Sequence, residues 1–343
     1  MDIYIAIAII LSIAAIVKNK IFNLLCLISL FVVAAFRSYS VGTDTENYLF
    51  AFNYLNSHDT LDFVLLKWSS HLEYFYRVLF YFIKKTGFDY RMVLIVQSIL
   101  FLFSLGFFYE KKTKNLGLAL LLTLLSYFFF QFFNVSRQML AISLCGFSYL
   151  LLSERRYKQC LISIAFIAFF VHTTCFLLCL LVIFDKYKKE IPPVLVLGLL
   201  VVSFVFPYAL GNLNFLEGIV NYFGYVKFDL YFLENNRNVY LGRVLPTVVF
   251  AFLYFYFKKT VDYKSDIFFK AYFLQVLSYN LFATMPVVGD RMMLVFMLGT
   301  IVYWCRVIAI KPYSLLPIIS MNLYSFIAAL NANSGEIVPF KFL

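Results

Sequence analysis

The chain has 343 residues, of which 63% are hydrophobic and 14% charged, with a net charge of +11 and a mean hydropathy of +0.85. A soluble domain keeps about a quarter of its residues charged, so this composition excludes water as the solvent for most of the surface. The positive charge does not indicate nucleic-acid binding, because most basic residues lie in short connections between apolar runs, where they determine orientation in a membrane.

Eleven apolar runs predict membrane helices. A hydrocarbon layer of about 30 Å needs about 20 apolar residues in a helix, and these runs are apolar on all sides, unlike the alternating strands of a membrane barrel. In chain order they lie at about 2–17, 21–36, 91–109, 116–133, 137–152, 158–184, 192–209, 243–257, 266–284, 291–309 and 313–330.

Five short basic connections predict which helix ends face the cytoplasm. Together with Arg306 and Lys311 they hold 16 of the 29 Lys and Arg residues, and such connections stay on the cytoplasmic side. All five can lie there only if the 27-residue run 158–184 is a hairpin of two short helices that turns near His172. The five connections are residues 18–20, 110–114, 154–158, 185–190 and 258–264.

The prediction is therefore an all-α polytopic membrane protein, a single transmembrane domain over residues 1–343 with about 12 helical segments, 11–12 spans and both termini outside. Two long outer loops remain, at about 37–90 and 210–242. Within the first, Leu72–Ile83 is predicted to be an interfacial or re-entrant helix, because it mixes apolar residues with charged residues and tyrosines. If it spans the membrane instead, the topology of the N-terminal half changes.

The first outer loop begins with the sequence RSYSVGTDTENY. Gly42 permits a tight backbone turn. Thr43 and Asp44 suit hydrogen bonds to sugar hydroxyls, and Tyr48 can stack on a pyranose ring. Arg37 offers a planar fork for phosphate oxygens. The alternative is a turn that caps the next helix, with Asp44 or the following residue as its N-cap.

Two arginines at outer helix starts are candidate ligands for pyrophosphate. Arg137, followed by Gln138, begins one apolar run, and Arg291, preceded by Asp290, begins another. A guanidinium beside the free N–H groups of a helix N-terminus suits an anion. The alternatives are an Arg137 side chain that reaches lipid headgroups and a local ion pair between Asp290 and Arg291.

His172 interrupts the long apolar run 158–184, at the predicted tip of the hairpin. An imidazole there can accept a proton or contact a phosphate, and the alternative is a hydrogen-bonded histidine in the packing. Arg237 and Arg243, in and after the second outer loop, are weaker candidates for contact with lipid phosphate.

ATP-driven transport and zinc hydrolysis are poorly supported. The sequence has no Walker A, HExxH, GxSxG or Gly-rich dinucleotide motif, and its six cysteines lack zinc-type spacing. Its three histidines, at positions 58, 71 and 172, do not suggest a metal site. We therefore expect neither a metal nor a cofactor.

The stretch RSYSVGTDTENY resembles the signature of the EpsG-type branch of the Wzy polysaccharide polymerases, which make O-antigen or exopolysaccharide. Three further features match in the same order along the chain. They are Arg137 within Ser-Arg-Gln before a helix rich in small residues, His172 followed by threonine, and Arg291 late in the chain. The resemblance covers roughly residues 35–310.

This resemblance implies a GT-C-like membrane glycosyltransferase of the bacterial cytoplasmic (inner) membrane, with its active face in the periplasm. The enzyme would polymerise undecaprenyl-pyrophosphate-linked oligosaccharide repeat units, by moving the growing glycan from its lipid carrier onto a new lipid-linked unit. The implied partners are these lipid-linked oligosaccharides, membrane lipids, a chain-length regulator and a flippase, with no nucleic acid. The implied product is O-antigen, capsule or exopolysaccharide.

The same resemblance suggests roles for the candidate residues. Arg137 and Arg291, with Arg37, are expected to bind the donor pyrophosphate and to stabilise its charge as it departs. Asp44 or His172 is expected to take the proton from the acceptor hydroxyl: a loop carboxylate can close over the sugar, whereas histidine titrates nearer neutrality. The sequence does not decide between these two bases. The other expected substrate contacts come from Gly42, Thr43, Tyr48, Gln138, Arg237, Arg243 and Asp290.

Three alternatives compete with the polymerase. A lipid-linked oligosaccharide flippase also has about 12 spans, but alternating access usually leaves a pseudo-repeat, which this sequence lacks. A polytopic O-acetyltransferase also uses outer-face Arg and His residues, but without the RSYSVGTDTENY pattern. An O-antigen ligase uses the same donor and differs only in its acceptor.

Overall fold

The computed structural model describes residues 2–66, 68, 72–186, 192–210, 240–257, 266–282 and 286–342, and within them it is helical, with no β-strand. This confirms the all-α prediction for those residues. Two short 3₁₀ helices, Thr173–Leu177 and Pro312–Ser314, directly precede α11 and α16. The helices are α1 (Asp2–Val17), α2 (Lys20–Ala35), α3 (Thr45–Tyr54), α4 (Leu61–Leu66), α5 (Tyr74–Lys85), α6 (Tyr90–Lys112), α7 (Leu116–Leu125), α8 (Phe128–Asn134), α9 (Ser136–Ser153), α10 (Tyr157–Phe170), α11 (Leu178–Lys186), α12 (Pro193–Leu210), α13 (Tyr240–Phe257), α14 (Ile267–Leu281), α15 (Pro286–Ile310) and α16 (Leu315–Asn331).

Polar residues at the boundaries of the apolar runs start several helices. The side chain of Asn19 accepts a hydrogen bond from the Ile21 N–H at the start of α2, at 2.8 Å. Asp89 accepts one from the Arg91 N–H at the start of α6, at 3.1 Å, and Asn115 caps α7 in the same way. Such caps satisfy N–H groups that lack a partner within the helix, so these helices begin where a polar residue precedes an apolar run.

Three segments among the described residues are long and apolar enough to cross a membrane. The helices α7 and α8 form a fourth if they are a single span bent by 56°. Five further apolar helices are shorter, and each predicted apolar run overlaps one or more helices among the described residues. The count of 11–12 spans and the GT-C-like arrangement stay predictions. The three long segments are Tyr90–Lys112, Val288–Ile310 and Pro312–Asn331, and the shorter ones are Asp2–Val17, Lys20–Ala35, Tyr157–Phe170, Pro193–Phe206 and Val244–Tyr256.

Large apolar side chains cover the surface of several of these helices. On α1 and α2, Ile16 is 79% exposed and Ile21 is 68% exposed, and on α10 Ile162 is 69% exposed. A soluble monomer rarely exposes contiguous apolar area on this scale. Such helix faces are instead what a hydrocarbon solvent requires, because lipid tails are as apolar as the side chains themselves.

The described chain forms two compact units. The first comprises residues 1–179 and 304–343, and the second comprises residues 180–303. The first unit contains the predicted outer loop 37–90, while most of the predicted loop 210–242 lies outside the described residues. The single domain over residues 1–343 stays a prediction.

Two local predictions can be compared with the helices directly. The helix predicted at Leu72–Ile83 is α5, whose 12 residues extend about 18 Å, which is short of a membrane span. The run 158–184 is interrupted where expected, because α10 ends at Phe170 and His172 starts a 3₁₀ helix. The interruption is therefore confirmed, while the reversal of the chain there stays a prediction.

Candidate functional site

Five polar side chains from four separate stretches of the first unit meet in one group, which we call the Arg137 cluster. The Arg137 Nε donates a hydrogen bond to the Tyr48 hydroxyl at 2.8 Å, and its Nη1 lies 2.5 Å from Glu73 Oε2. The Tyr48 hydroxyl donates to Asp44 Oδ2 at 2.9 Å. His172 Nε2 lies 3.7 Å from Glu73 Oε1. The cluster thus joins three of the residues predicted as catalytic to one predicted to bind substrate and to one new residue, Glu73.

The start of α3 places Asp44 and Tyr48 side by side. Asp44 occupies the N-cap position, and residues four apart lie on the same face of a helix, so Tyr48 reaches back to it. Asp44 makes no side-chain hydrogen bond to the helix N–H groups. Asp44 therefore stands at the predicted N-cap position, but its carboxylate accepts a hydrogen bond from the Tyr48 hydroxyl and not from the N–H groups of the helix.

Gly42 allows this loop to approach the end of α8 closely. Its φ is +91°, which L side chains rarely adopt, and a Cβ here would lie 2.4 Å from the Phe133 carbonyl oxygen. One residue on, the Thr43 N–H donates to Asn134 Oδ1 at 3.3 Å. The loop therefore packs directly on the end of α8, just before the helix that carries Arg137.

Arg37 anchors the beginning of the same loop. Its side chain is 1% exposed, and its guanidinium stacks over the ring of Phe133 at 4.6 Å and donates to Ala34 O and to Thr45 Oγ1. Burial lowers the pKa of the Arg37 guanidinium to about 10, so it stays charged at neutral pH. A contact between Arg37 and phosphate, as predicted, would require this packing to open.

The C-terminal residues 333–342 hold the loop from the other side. The Ser38 N–H donates to Lys341 O at 2.7 Å, and the Gly42 N–H donates to Glu336 O at 3.3 Å. Arg37 and Phe342 form an isolated antiparallel bridge. These backbone bonds lock a segment that local sequence alone would leave as a flexible loop, and nothing in the apolar pattern predicts them.

Glu73 directly precedes α5 and is the residue that sequence reasoning missed. Its side chain makes no capping bond to α5, whereas its carbonyl accepts from the N–H groups of Tyr76 and Arg77. The Arg77 guanidinium donates to Leu72 O and Leu65 O, both at 2.6 Å, which ties the first turn of α5 to the chain that precedes Glu73. The available signal was a carboxylate at the start of an aromatic, amphipathic helix in the loop that also carries Asp44.

Arg137 is the second residue of α9, and its side chain is 21% exposed. The guanidinium lies over the ring of Tyr48, 5.2 Å from the ring centroid, besides its contact with Glu73. The side chain therefore turns into the cluster, which does not fit the alternative of an arginine that reaches out to lipid headgroups.

The contacts of His172 indicate which ring nitrogen carries the proton. Nδ1 accepts a hydrogen bond from the Thr174 N–H at 3.3 Å and lies 2.9 Å from Thr174 Oγ1. A backbone N–H can only donate, so in the neutral ring the proton belongs to Nε2, which faces Glu73. His172 therefore caps the 3₁₀ helix through one nitrogen and presents an N–H to Glu73 through the other.

Tyr48 remains protonated at neutral pH. Burial has the largest effect and raises the pKa of its hydroxyl, and the nearby Asp44 carboxylate raises this pKa further. The hydroxyl can therefore donate to Asp44 while it accepts from Arg137, so it links the carboxylate and the guanidinium.

The remaining predicted residues are Gln138, Arg237, Arg243, Asp290 and Arg291. Gln138 is buried on α9, with 2% exposure. Asp290 and Arg291 lie near the start of α15, in the second unit. Arg237 lies outside the described residues, and so does the side chain of Arg243, at the start of α13.

The model of the EpsG family matches residues 20–342. No curated protein and no solved structure matches the chain. Over the described part of the chain, no group of three or more His, Cys, Asp and Glu side chains could hold a metal ion.

Proposed function

Because the chain belongs to the EpsG family, we propose that it is a membrane glycosyltransferase that polymerises oligosaccharide repeat units carried on undecaprenyl pyrophosphate. In the proposed reaction the growing glycan moves from its lipid carrier to the end sugar of a new lipid-linked unit, at the periplasmic face of the bacterial inner membrane. The observation that carries this proposal is the Arg137 cluster. There the Arg137 guanidinium contacts the Glu73 carboxylate directly and is linked to the Asp44 carboxylate through the Tyr48 hydroxyl. Such a set offers both an anion ligand and proton acceptors.

Arg137 is the proposed ligand of the donor pyrophosphate. The transfer breaks the bond between the anomeric carbon and a phosphate oxygen, so negative charge builds up on the departing group. A fixed guanidinium at a helix start, with the helix N–H groups beside it, stabilises that charge most when it is greatest. On residue pattern alone, Arg291 is proposed as a further phosphate ligand, and Arg37 is proposed to act by holding the loop that carries Asp44.

The sequence does not decide whether Asp44 or His172 accepts the proton from the sugar hydroxyl. A general base needs a free lone pair, but the His172 Nδ1 accepts from Thr174 and its Nε2 faces Glu73 as a donor. His172 is therefore proposed to position Glu73, and the base is proposed to be a carboxylate.

Two substitutions separate these roles of His172. An asparagine at position 172 places an oxygen where Nδ1 lies and keeps the cap, but it does not reach Glu73. A glutamine places an amide N–H where Nε2 lies and loses the cap. We expect His172→Asn to keep its melting temperature with activity about tenfold lower, and His172→Gln to lose about 1 kcal/mol of stability with a smaller loss of activity.

Both variants are measured by thermal unfolding in detergent and by polymer yield. If His172 were the base, neither side chain could replace it, and both variants would lose activity to the same large extent.

Feeding purified protein a lipid-linked repeat unit alone tests the proposed function. The substrate is extracted from a strain that lacks this gene, and the protein is reconstituted in lipid nanodiscs. A polymerase converts the single units to dimers and longer chains on the lipid, which a gel of the products resolves. A ligase or a flippase leaves the single units unchanged, and that outcome would refute the proposal.

A further inference from the structure

The Glu73 carboxylate lies between two groups of the Arg137 cluster that hold it in different ways. Its Oε2 is 2.5 Å from the Arg137 guanidinium, and its Oε1 is 3.7 Å from the His172 ring. The side chain is 17% exposed, so it is reachable from solvent without being freely solvated. A short charge-assisted contact of this kind is among the stronger polar interactions in a protein.

The contact between Glu73 and Arg137 conflicts with binding of an anion at Arg137. A phosphate oxygen would occupy the position on Nη1 that the carboxylate now holds, and two adjacent anions repel each other in a site of reduced dielectric. A phosphate that binds at this position on Nη1 therefore displaces the carboxylate from Arg137. Released from its guanidinium, the Oε2 atom can accept a proton from a substrate hydroxyl in place of the hydrogen bond from Nη1.

We propose that Glu73 takes the proton from the acceptor hydroxyl, and that Arg137 holds its carboxylate until the donor pyrophosphate displaces it. This inference rests on the proposed polymerase function and adds an order of events to it, in which the donor binds first. His172 then keeps the released carboxylate close to the site through its Nε2–H.

The transfer step replaces one bond to the anomeric carbon of the donor sugar by another. The acceptor O–H proton passes to a Glu73 carboxylate oxygen, and the acceptor oxygen forms a bond to the anomeric carbon of the donor sugar. The bond from that carbon to the phosphate oxygen breaks, and its electron pair leaves with undecaprenyl pyrophosphate. The Arg137 guanidinium compensates the charge of this leaving group.

Glu73 suits this role better than Asp44. Asp44 is linked to Arg137 through the Tyr48 hydroxyl, whereas Glu73 lies directly on Arg137 Nη1. Binding of the donor at Nη1 therefore changes the surroundings of Glu73 directly.

The test compares Glu73→Gln with Asp44→Asn, both nearly the same in shape as the native residue. In the Glu73→Gln variant the competing negative charge is gone, so undecaprenyl pyrophosphate should bind about three- to tenfold more tightly, while kcat falls at least about 100-fold. Asp44→Asn should keep the native donor affinity and lose less than about tenfold in kcat. Binding is measured by titration calorimetry in nanodiscs, and kcat and KM come from the polymerisation assay.

The outcomes separate this inference from the proposed function. Weaker donor binding by Glu73→Gln would mean that Glu73 only orients Arg137, and kcat within about tenfold of native would exclude it as the base; either result overturns the inference. Tighter donor binding with loss of kcat in Asp44→Asn instead would assign the role to Asp44 and also overturns it. If the native protein itself neither binds undecaprenyl pyrophosphate nor makes polymer, the proposed function fails.

Discussion

Replacing Arg137 by lysine is expected to reduce polymerisation by about 100-fold or more, although the positive charge is kept. Arg137 uses two different nitrogens, Nε toward Tyr48 and Nη1 toward Glu73, at 2.8 and 2.5 Å. A lysine ammonium is a single point at the end of a flexible chain and cannot hold both geometries. Removing one well-placed donor to a departing oxyanion costs roughly 100- to 1,000-fold in turnover, which sets the expected size.

The matched control for Arg137→Lys is Arg91→Lys. Arg91 is also a partly buried arginine in the first turn of a helix of the first unit, and it donates to Ala35 O and lies over the Tyr39 ring, outside the Arg137 cluster. We expect Arg91→Lys to stay within about twofold of the native polymer yield, since a lysine can keep a single donor contact. Equal activity of the two variants would remove Arg137 from the proposed mechanism.

The helices were predictable because their signals are local. A run of apolar residues and a polar cap lie within a few positions of each other, so α2, α6 and α7 start at Asn19, Asp89 and Asn115. The break at His172 was predictable for a different reason, because the charge distribution required one there. Both kinds of evidence are present in the sequence before any tertiary contact forms.

The pairings of the site were not predictable in this way. Glu73 meets Arg137 across 64 positions of sequence, and no local pattern distinguishes that carboxylate from others in the same loop. The same holds in the second unit, where Asp185, assigned from the sequence to a cytoplasmic connection, lies 2.7 Å from Lys270 with both side chains almost fully buried. Charge counting places a residue on a side of the membrane, but it does not identify its partner.

Arg37 illustrates the limit of residue chemistry as evidence. The sequence predicted a phosphate ligand, since arginine suits phosphate oxygens and lies in the family signature. The structure uses the same planar guanidinium to stack on Phe133 and to bind a backbone carbonyl. An arginine in such a motif can therefore shape the packing of a loop, and its chemistry alone does not identify it as a phosphate ligand.

Replacing Gly42 by alanine is expected to lower stability by about 2–5 kcal/mol and to abolish polymerisation. The φ of +91° costs an L residue about 1–2 kcal/mol, and a Cβ at 2.4 Å from the Phe133 carbonyl oxygen must displace the backbone. That displacement moves the start of α3, so the Tyr48 hydroxyl no longer receives the hydrogen bond that orients Arg137, the proposed pyrophosphate ligand. The melting temperature in detergent and the polymer yield in cells both report the change.

Gly87→Ala is the control for Gly42→Ala, because it measures the free-energy cost of a positive φ without a steric clash. Gly87 also has a positive φ, +80°, but no heavy atom lies within 4 Å of a Cβ built there. Its substitution should therefore cost only about 1–2 kcal/mol and leave polymerisation intact. If Gly42→Ala behaved like Gly87→Ala in both measurements, close packing of the loop on α8 would not be what holds Asp44 and Tyr48 in the Arg137 cluster.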